Sequence, residues 1–338
     1  MEMTGGTDEQ ICAEALAAFG LSAPAAVRPI PEGLMNRNWD ITTADGTRYA
    51  LKEVLDVGPD TARRQHAATR ALAAAGLPVP APQATPEGDT LATVGGRSYA
   101  LTPWAAGEML PARSWSREQA AAVGVLLAEL HTELADAMPA APREVPVSVT
   151  SAAKATARFA DFRRQAAAGH AGFDADVERA LTEREELLDR WAGRLPQDGE
   201  RGPAGWCHGD FHDLNLLWET GSVSAVLDWD RLGVRPYADE VVRTATLPVM
   251  FGAGEGPLDL ELVAAFVGGY RKASGLPAEA LAEAAERQRW ERLCDVWQLK
   301  VHYGKGDESC DHLFRAASAL VGWWARHHRQ VRDALTPG

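Results

Sequence analysis

Three polar residues in one short segment, CHGDFHDLNLLWETGSVSAVLDWDR at 207–231, have the types and spacing to do chemistry: Asp210, Asn215 and Asp228. An amide oxygen and a carboxylate suit a hard divalent cation such as Mg²⁺, which takes oxygen ligands and keeps waters beside substrate phosphates. A second carboxylate outside that shell, Asp210, can orient a hydroxyl and accept its proton. The elements that must position them are legible locally. Leu216 to Trp218 and Val223 to Leu227 are short β-prone runs on either side of the turn residues ETGS, which predicts a hairpin. Asn215 starts its first strand and Asp228 ends its second, so antiparallel pairing returns both to one end, beside the loop that carries Asp210. Asp230, two residues further on, is a further candidate metal ligand. His208 is a further candidate, either as a hydrogen-bonding residue or in direct acid–base work.

In HGDFHDLN an Asp stands two after a His, and an Asn five after that Asp. This is the spacing of the protein-kinase catalytic loop, with Gly in place of its Arg. The chain resembles the aminoglycoside phosphotransferase and choline kinase-like family of small-molecule kinases, whose signature is HGDxxxxN followed by a DW-containing strand end. GLMNRNWDI at 33–41 resembles the family's nucleotide-covering turn and YALKEV at 49–54 its lysine strand. ALAAAGLPVPAP at 71–82 resembles its helix-to-strand passage, and LLAELH at 126–131 its helix after the hinge. The resemblance implies an α+β, bilobal protein-kinase-like fold. Residues 1–102 would form a small antiparallel-sheet nucleotide-binding lobe, 103–110 a hinge, and 111–338 a larger, mainly helical lobe for catalysis and acceptor binding. It also implies ATP or another nucleoside triphosphate with Mg²⁺, and as acceptor the hydroxyl of an aminoglycoside-type antibiotic or related amino-containing metabolite. NRNW at 36–39 suggests instead an amino-alcohol kinase of the homoserine, choline or hydroxylysine type.

Lys52 lies in an alternating strand, and a lysine on the inner face of such a strand needs an anionic partner. The resemblance implies that it contacts the nucleotide's α and β phosphates and pairs with a Glu on the next helix. Alignment on GLPVP puts Gln65 at that place, which offers a hydrogen bond but no charge. A regulatory, nucleotide-binding pseudokinase is therefore a further alternative. Gly33, Asn36 and Asn38, in the turn before the first strand of the lysine hairpin, can meet phosphate oxygens through backbone N–H groups and amides. Pro103, Trp104 and Ala105, in the crossing LTPWAAGEML, would face the adenine. His212, in mid-loop, can approach the acceptor. Asp239 reads as an N-cap or loop brace. Trp290, Trp297, Tyr303, Asp295, Asp307 and Glu308 are the mixture of rings and carboxylates that would hold an amine.

Capping spacing predicts a first helix from Thr7 to Phe19. Strands are expected at Asn38 to Thr43 and Arg48 to Val54, joined through Asp45-Gly46, then a helix from Thr61 to Ala75. Further strands are expected near Ala81 to Gln83, Thr90 to Val94 and Ser98 to Thr102, and a helix from Arg117 to Leu134. At 338 residues, with 46% hydrophobic and 24% charged residues, the chain can bury a core in each of two lobes. Its net charge of −13 argues against nucleic acid as a partner. That charge is spread evenly, −4 over residues 1–102 and −9 over the rest, which leaves the sign of the acceptor open. No apolar run approaches the ~18–20 residues that span a bilayer, and MEMTGGTDEQ has no signal core, so a cytoplasmic protein without membrane contact is expected. The four cysteines have neither disulfide nor metal spacing.

Overall fold

The computed structural model describes residues 7–31, 36–167, 172–191, 193, 195–247 and 256–337; Gly33 lies outside them. Helix α1 (Asp8–Ala18) starts where the Thr7 hydroxyl accepts the N–H of Gln10. It covers a five-stranded antiparallel sheet of order β1-β2-β3-β5-β4: β1 (Pro24–Ile30), β2 (Arg37–Thr43), β3 (Arg48–Glu53), β4 (Ala92–Val94) and β5 (Arg97–Pro103). Side chains alternate between the two faces of a strand. Trp39, Ile41, Leu51, Tyr99 and Leu101 are buried with Cys12 and Leu16 of α1. Asn38, Lys52 and Ala100 stand side by side across three strands on the other face. Helix α2 (Pro59–Ala74) packs there, with Ala62 against Ala100 and Leu91.

In this lobe one strand was not foreseen and one expected strand is absent, both at prolines. Pro24 and Pro29 speak against a strand, yet β1 forms, because as the sheet's edge it can spare the missing donors. Ala81 to Gln83 is not a strand. Prolines at 78, 80 and 82 leave few N–H groups to pair, and Gln83 N to Leu101 O, 2.7 Å, is its one backbone bond to β5.

Beyond β5 come β6 (Glu108–Met109) and α3 (Arg117–Ala137), the latter opened by a reciprocal capping box of Ser116 and Gln119. Then follow β7 (Val145–Val147), α4 (Ala152–Ala166), α5 (Gly172–Trp191), β8 (Gly199–Arg201), β9 (Ala204–Cys207), β10 (Leu216–Glu219), β11 (Ser222–Val226), β12 (Gly233–Pro236) and α6 (Tyr237–Ala245). Helices α7 (Leu260–Ser274), α8 (Ala278–Cys294), α9 (Trp297–Lys305), α10 (Asp311–Arg326) and α11 (His328–Leu335) complete the described chain. Helix α3 runs through the larger core with Leu127 and Leu130 against Phe266 and Val267 of α7. The two backbones touch: a Cβ on Gly124 would lie 2.0 Å from the Phe266 carbonyl oxygen, and one on Gly269 2.1 Å from that of Ala121. A second core joins α4 and α5 to α8 and α10 through Phe159, Leu181, Trp290 and Phe314. The β10–β11 hairpin is extended by β6, and β9 pairs with β12. The strands entering and leaving the HGD-to-DWD segment are thus tied to each other.

Candidate active site

The hairpin brings its two ends together as its pattern requires. Leu227 N donates to Asn215 O at 2.8 Å, and Asn215 closes a short 3-10 turn, Asp213–Asn215. Its Nδ2 donates to the Asp210 carbonyl at 2.9 Å, which leaves Oδ1 without a partner among the described residues. Asp228 follows β11 with φ 58, a left-handed conformation that Asp tolerates better than most side chains. Its carboxylate has no hydrogen bond or ion pair among the described residues. Desolvation by the surrounding protein, then the charge of Asp230, raise its pKa above the ordinary carboxylate value. A carboxylate short of positive charge beside a partnerless amide oxygen is a donor set that fits a hard cation.

Asp230 is engaged from three sides. Lys52 Nζ lies 2.9 and 3.0 Å from its two carboxylate oxygens, Asn36 Nδ2 donates to Oδ2 at 2.7 Å, and Gln65 Nε2 donates to its main-chain oxygen at 2.8 Å. Gln65 therefore does not pair with Lys52 in place of a helix Glu; the lysine's anionic partner is Asp230. Asn36 is not free to meet phosphate through its amide either, since its Oδ1 accepts the N–H groups of Leu55 and Asp56 at 2.8 and 3.2 Å. Asn38 sits directly opposite Lys52.

The loop before the hairpin is held by buried groups. His208 Nε2 faces the Leu227 carbonyl at 2.9 Å, and Nδ1 accepts the Asp210 N–H at 3.1 Å, so both ring nitrogens are spent on holding backbone. Burial lowers its pKa. Glu240, on α6, accepts the N–H groups of His208 and Gly209 and lies 2.7 Å from His131 Nε2, while His131 Nδ1 meets the Tyr270 hydroxyl at 2.8 Å. The Thr244 hydroxyl, one turn after Glu240, donates to the Phe211 carbonyl at 2.9 Å. Arg243 NH2 reaches Asp210 Oδ1 at 2.6 Å. Burial would raise the Asp210 carboxyl, but His212 and the Arg243 charge outweigh it and hold the pKa well below the usual range. The described ligand atoms of His131, Cys207 and Glu240 cluster within 4.8 Å, but hydrogen bonds to protein already occupy this histidine and this carboxylate.

Sequence reasoning missed Glu240, Arg243 and Thr244. The available signal was their i, i+3, i+4 spacing, which puts them on one face of a helix soon after the DWD segment. Asp239, weighed as a brace, instead pairs with Arg287. At the lobe crossing, the Trp104 N–H is bonded to Arg48 O at 3.0 Å, and one ring face carries the Arg48 guanidinium at 4.1 Å. Pro103, Trp104 and Ala105 line an open cavity of about 680 Å³ with Pro78, Pro80 and Ser224. Of the proposed amine-holding residues, Trp290 is buried and donates to Thr150 O at 2.7 Å, and Tyr303 donates to Asp174 at 2.6 Å. Trp297 is exposed.

A small antiparallel-sheet lobe over a helical one, with a braced HGD loop beside a lysine and two carboxylates, defines an α+β fold of the kinase-like phosphotransferase type. The chain belongs to the phosphotransferase enzyme family, whose sequence model matches residues 26–298. No curated protein matches it. Among solved structures it is similar to an amicoumacin kinase in complex with AMP-PNP and Ca²⁺, at 16% identity and a TM-score of 0.62, covering 98% of this chain and 96% of that one. It is also similar to a microcompartment-associated aminopropanol kinase, at 19% identity and a TM-score of 0.62, covering 96% and 98%. A third is the aminoglycoside phosphotransferase of Alicyclobacillus acidocaldarius, at 15% identity and a TM-score of 0.59, covering 98% and 96%.

Proposed function

We propose that the protein transfers the γ-phosphoryl group of ATP to a hydroxyl of a small molecule. The observation that carries this reading is the convergence of Asp210, the partnerless Asn215 Oδ1 and Asp228, and the Lys52–Asp230 pair on one loop cluster. Asp210, kept ionised, orients the acceptor hydroxyl and receives its proton. Lys52 moves onto the nucleotide phosphates, and Asp228 and Asn215 are the residues that would hold an accompanying Mg²⁺. When bound, that ion would supply positive charge against the phosphates. Positioning and charge neutralisation supply most of the rate enhancement in such a reaction.

In this reading residues 1–102 are the nucleotide lobe, 103–110 the hinge and 111–338 the lobe that supplies catalysis and the acceptor site. With the Trp104 N–H already spent, adenine recognition falls to the backbone of Pro103 and Ala105. The supply of ATP makes the cytoplasm the compartment of the reaction, and no described helix is long and apolar enough to cross a membrane. The experiment is an ATP-consumption screen over hydroxyl-bearing acceptors of contrasting charge, aminoglycosides and amino alcohols included, with Asp210→Asn as control. Turnover that depends on both acceptor and Asp210 supports the reading. Nucleotide binding without turnover of any acceptor would favour a regulatory, non-catalytic role.

A further inference from the structure

Arg231, Arg235 and Arg243 flank Gly209 and Asp210, and Arg292 lies behind Arg243, in a chain whose net charge is −13. Gly209 has φ 87 and no room for a Cβ, which would lie 2.2 Å from the Arg231 carbonyl oxygen and 2.4 Å from Arg235 NH1. The Arg235 guanidinium therefore packs against the residue before Asp210, where its NH1 also donates to Arg231 O at 2.9 Å. On the other flank Arg243 NH2 binds Asp210 Oδ1, and its NH1 is buried with no hydrogen-bond acceptor among the described residues. Arg292, of α8, donates to the Arg243 carbonyl at 3.3 Å and to the Thr246 hydroxyl at 3.2 Å.

Among the described residues, Arg231, Arg235 and Arg292 have no carboxylate within ion-pair reach. Several arginines elsewhere in this chain do find them: Arg63 with Asp60 and Asp89, Arg163 with Glu178 and Glu185, Arg287 with Asp239 and Glu283, whereas the buried Arg184 is held by main-chain carbonyls. Burial, followed by the repulsion of Arg243, pushes the Arg292 guanidinium down to about 9, against the smaller opposing pull of Asp295. Among the described residues, Asp210 is the carboxylate in ion-pair contact with this group, and it is needed for the acceptor hydroxyl.

We propose that this cluster is an oxyanion seat on the acceptor side, so that the acceptor carries a carboxylate or a phosphate near its reacting hydroxyl. The proposal rests on the phosphotransfer reading and adds the acceptor's charge to it. Arginine binds either oxyanion through charge-assisted, often bidentate hydrogen bonds. A polycation brought to Asp210 would meet like charge on both flanks, whereas a zwitterion bearing an amino group as well as a carboxylate would not be excluded. Arg231 follows the DWD segment directly and Arg235, on β12, lies against Gly209, so they can reach an acceptor docked against Asp210 without displacing the nucleotide groups on Lys52.

The test loads the full-length protein with Mg²⁺ and AMP-PNP, whose γ group fills the nucleotide's own anion position, and reads thermal shifts with added probes. Glycerol, glycerate, glycerol 3-phosphate and an aminoglycoside are the probes. Glycerate or glycerol 3-phosphate should raise Tm and glycerol should not; the one that acts tells carboxylate from phosphate. Arg231→Gln, at an exposed site, and Arg235→Gln should each weaken the apparent affinity for that anion about tenfold, the loss of one charge-assisted contact. Arg235→Lys should recover part of it. A shift from the aminoglycoside alone, no shift from either anion, or anion shifts undiminished in both variants would overturn the proposal. Absence of any shift with Mg²⁺ and AMP-PNP would instead remove the phosphotransfer reading beneath it.

Discussion

The two sides of the catalytic loop are built on opposite terms. Around Glu240 of α6 the protein supplies the partners itself: Glu240, His131 and Tyr270 are all buried, and between them they hold the backbone of His208 and Gly209. On the nucleotide side Asp228 is exposed and without a partner among the described residues, and Lys52 with Asp230 is only partly buried. The first side is rigid because losing any member strands a polar group out of water. The second is left for ligands to complete, which is where a binding site must be incomplete.

The sharpest way to break this contrast is Asp210→Asn, which keeps shape and removes the carboxylate. The expected loss in kcat is on the order of 10² to 10⁴, with nucleotide affinity held within a few-fold. Steady-state kinetics on the acceptor found by screening would check it, and wild-type turnover would remove Asp210 from the chemistry. Next in size is Glu240→Ala, which leaves two backbone N–H groups and His131 without their partner. A destabilisation of about 3–5 kcal/mol by chemical denaturation is expected. Glu240 also has a pH signature. Burial would raise its carboxyl, but the hydrogen bond and charge of His131 carry it down to about 2 from an ordinary 4.5. The stability it contributes is therefore full above about pH 4.5 and is lost as pH falls toward 2. The gap in Tm between wild type and Glu240→Gln should narrow across that window.

On the ligand-completed side the effects are smaller and conditional. Asp228→Asn should leave the apo Tm nearly unchanged, since Asn also tolerates φ 58. It should abolish the extra nucleotide stabilisation that Mg²⁺ gives over chelator. Equal Mg²⁺-dependent shifts in variant and wild type would withdraw the metal assignment. The smallest effect is expected for Gln65→Glu. A residue facing Lys52 would gain from the added charge, but Gln65 donates to the Asp230 carbonyl, and a carboxylate there loses that bond and repels Asp230. Nucleotide affinity should fall a few-fold by calorimetry; a rise would mean that Gln65 swings to Lys52 when nucleotide arrives.

The same division marks what could be read from the sequence. The hairpin that returns Asn215 and Asp228 to one end was legible because period-two patterning and turn chemistry are local, and β2, β3 and α2 fall within two residues of where pattern put them. The partner of Lys52 was not legible, because Asp230 lies 178 residues away and its preference over Gln65 is decided by packing. Glu240 was passed over for its neighbour Asp239, since a one-residue step on a helix turns a side chain from the buried loop to Arg287, and no composition signal separates the two. The strand β1 was hidden by prolines that only an edge position permits.

The contact between α3 and α7 has a consequence for how this enzyme would tolerate change. Gly124 lies two turns before His131, and Gly269 adjoins Tyr270, so the crossing sets the spacing of the two helices that carry the deepest members of the loop's anchor. One methyl group added at either glycine must wedge these helices apart, and the displacement would reach the histidine–tyrosine bond before it reached the surface. Random mutagenesis scored for lost activity should therefore recover Gly124 and Gly269 alongside the residues that touch substrate, as silent scaffold positions whose variants mimic an active-site lesion.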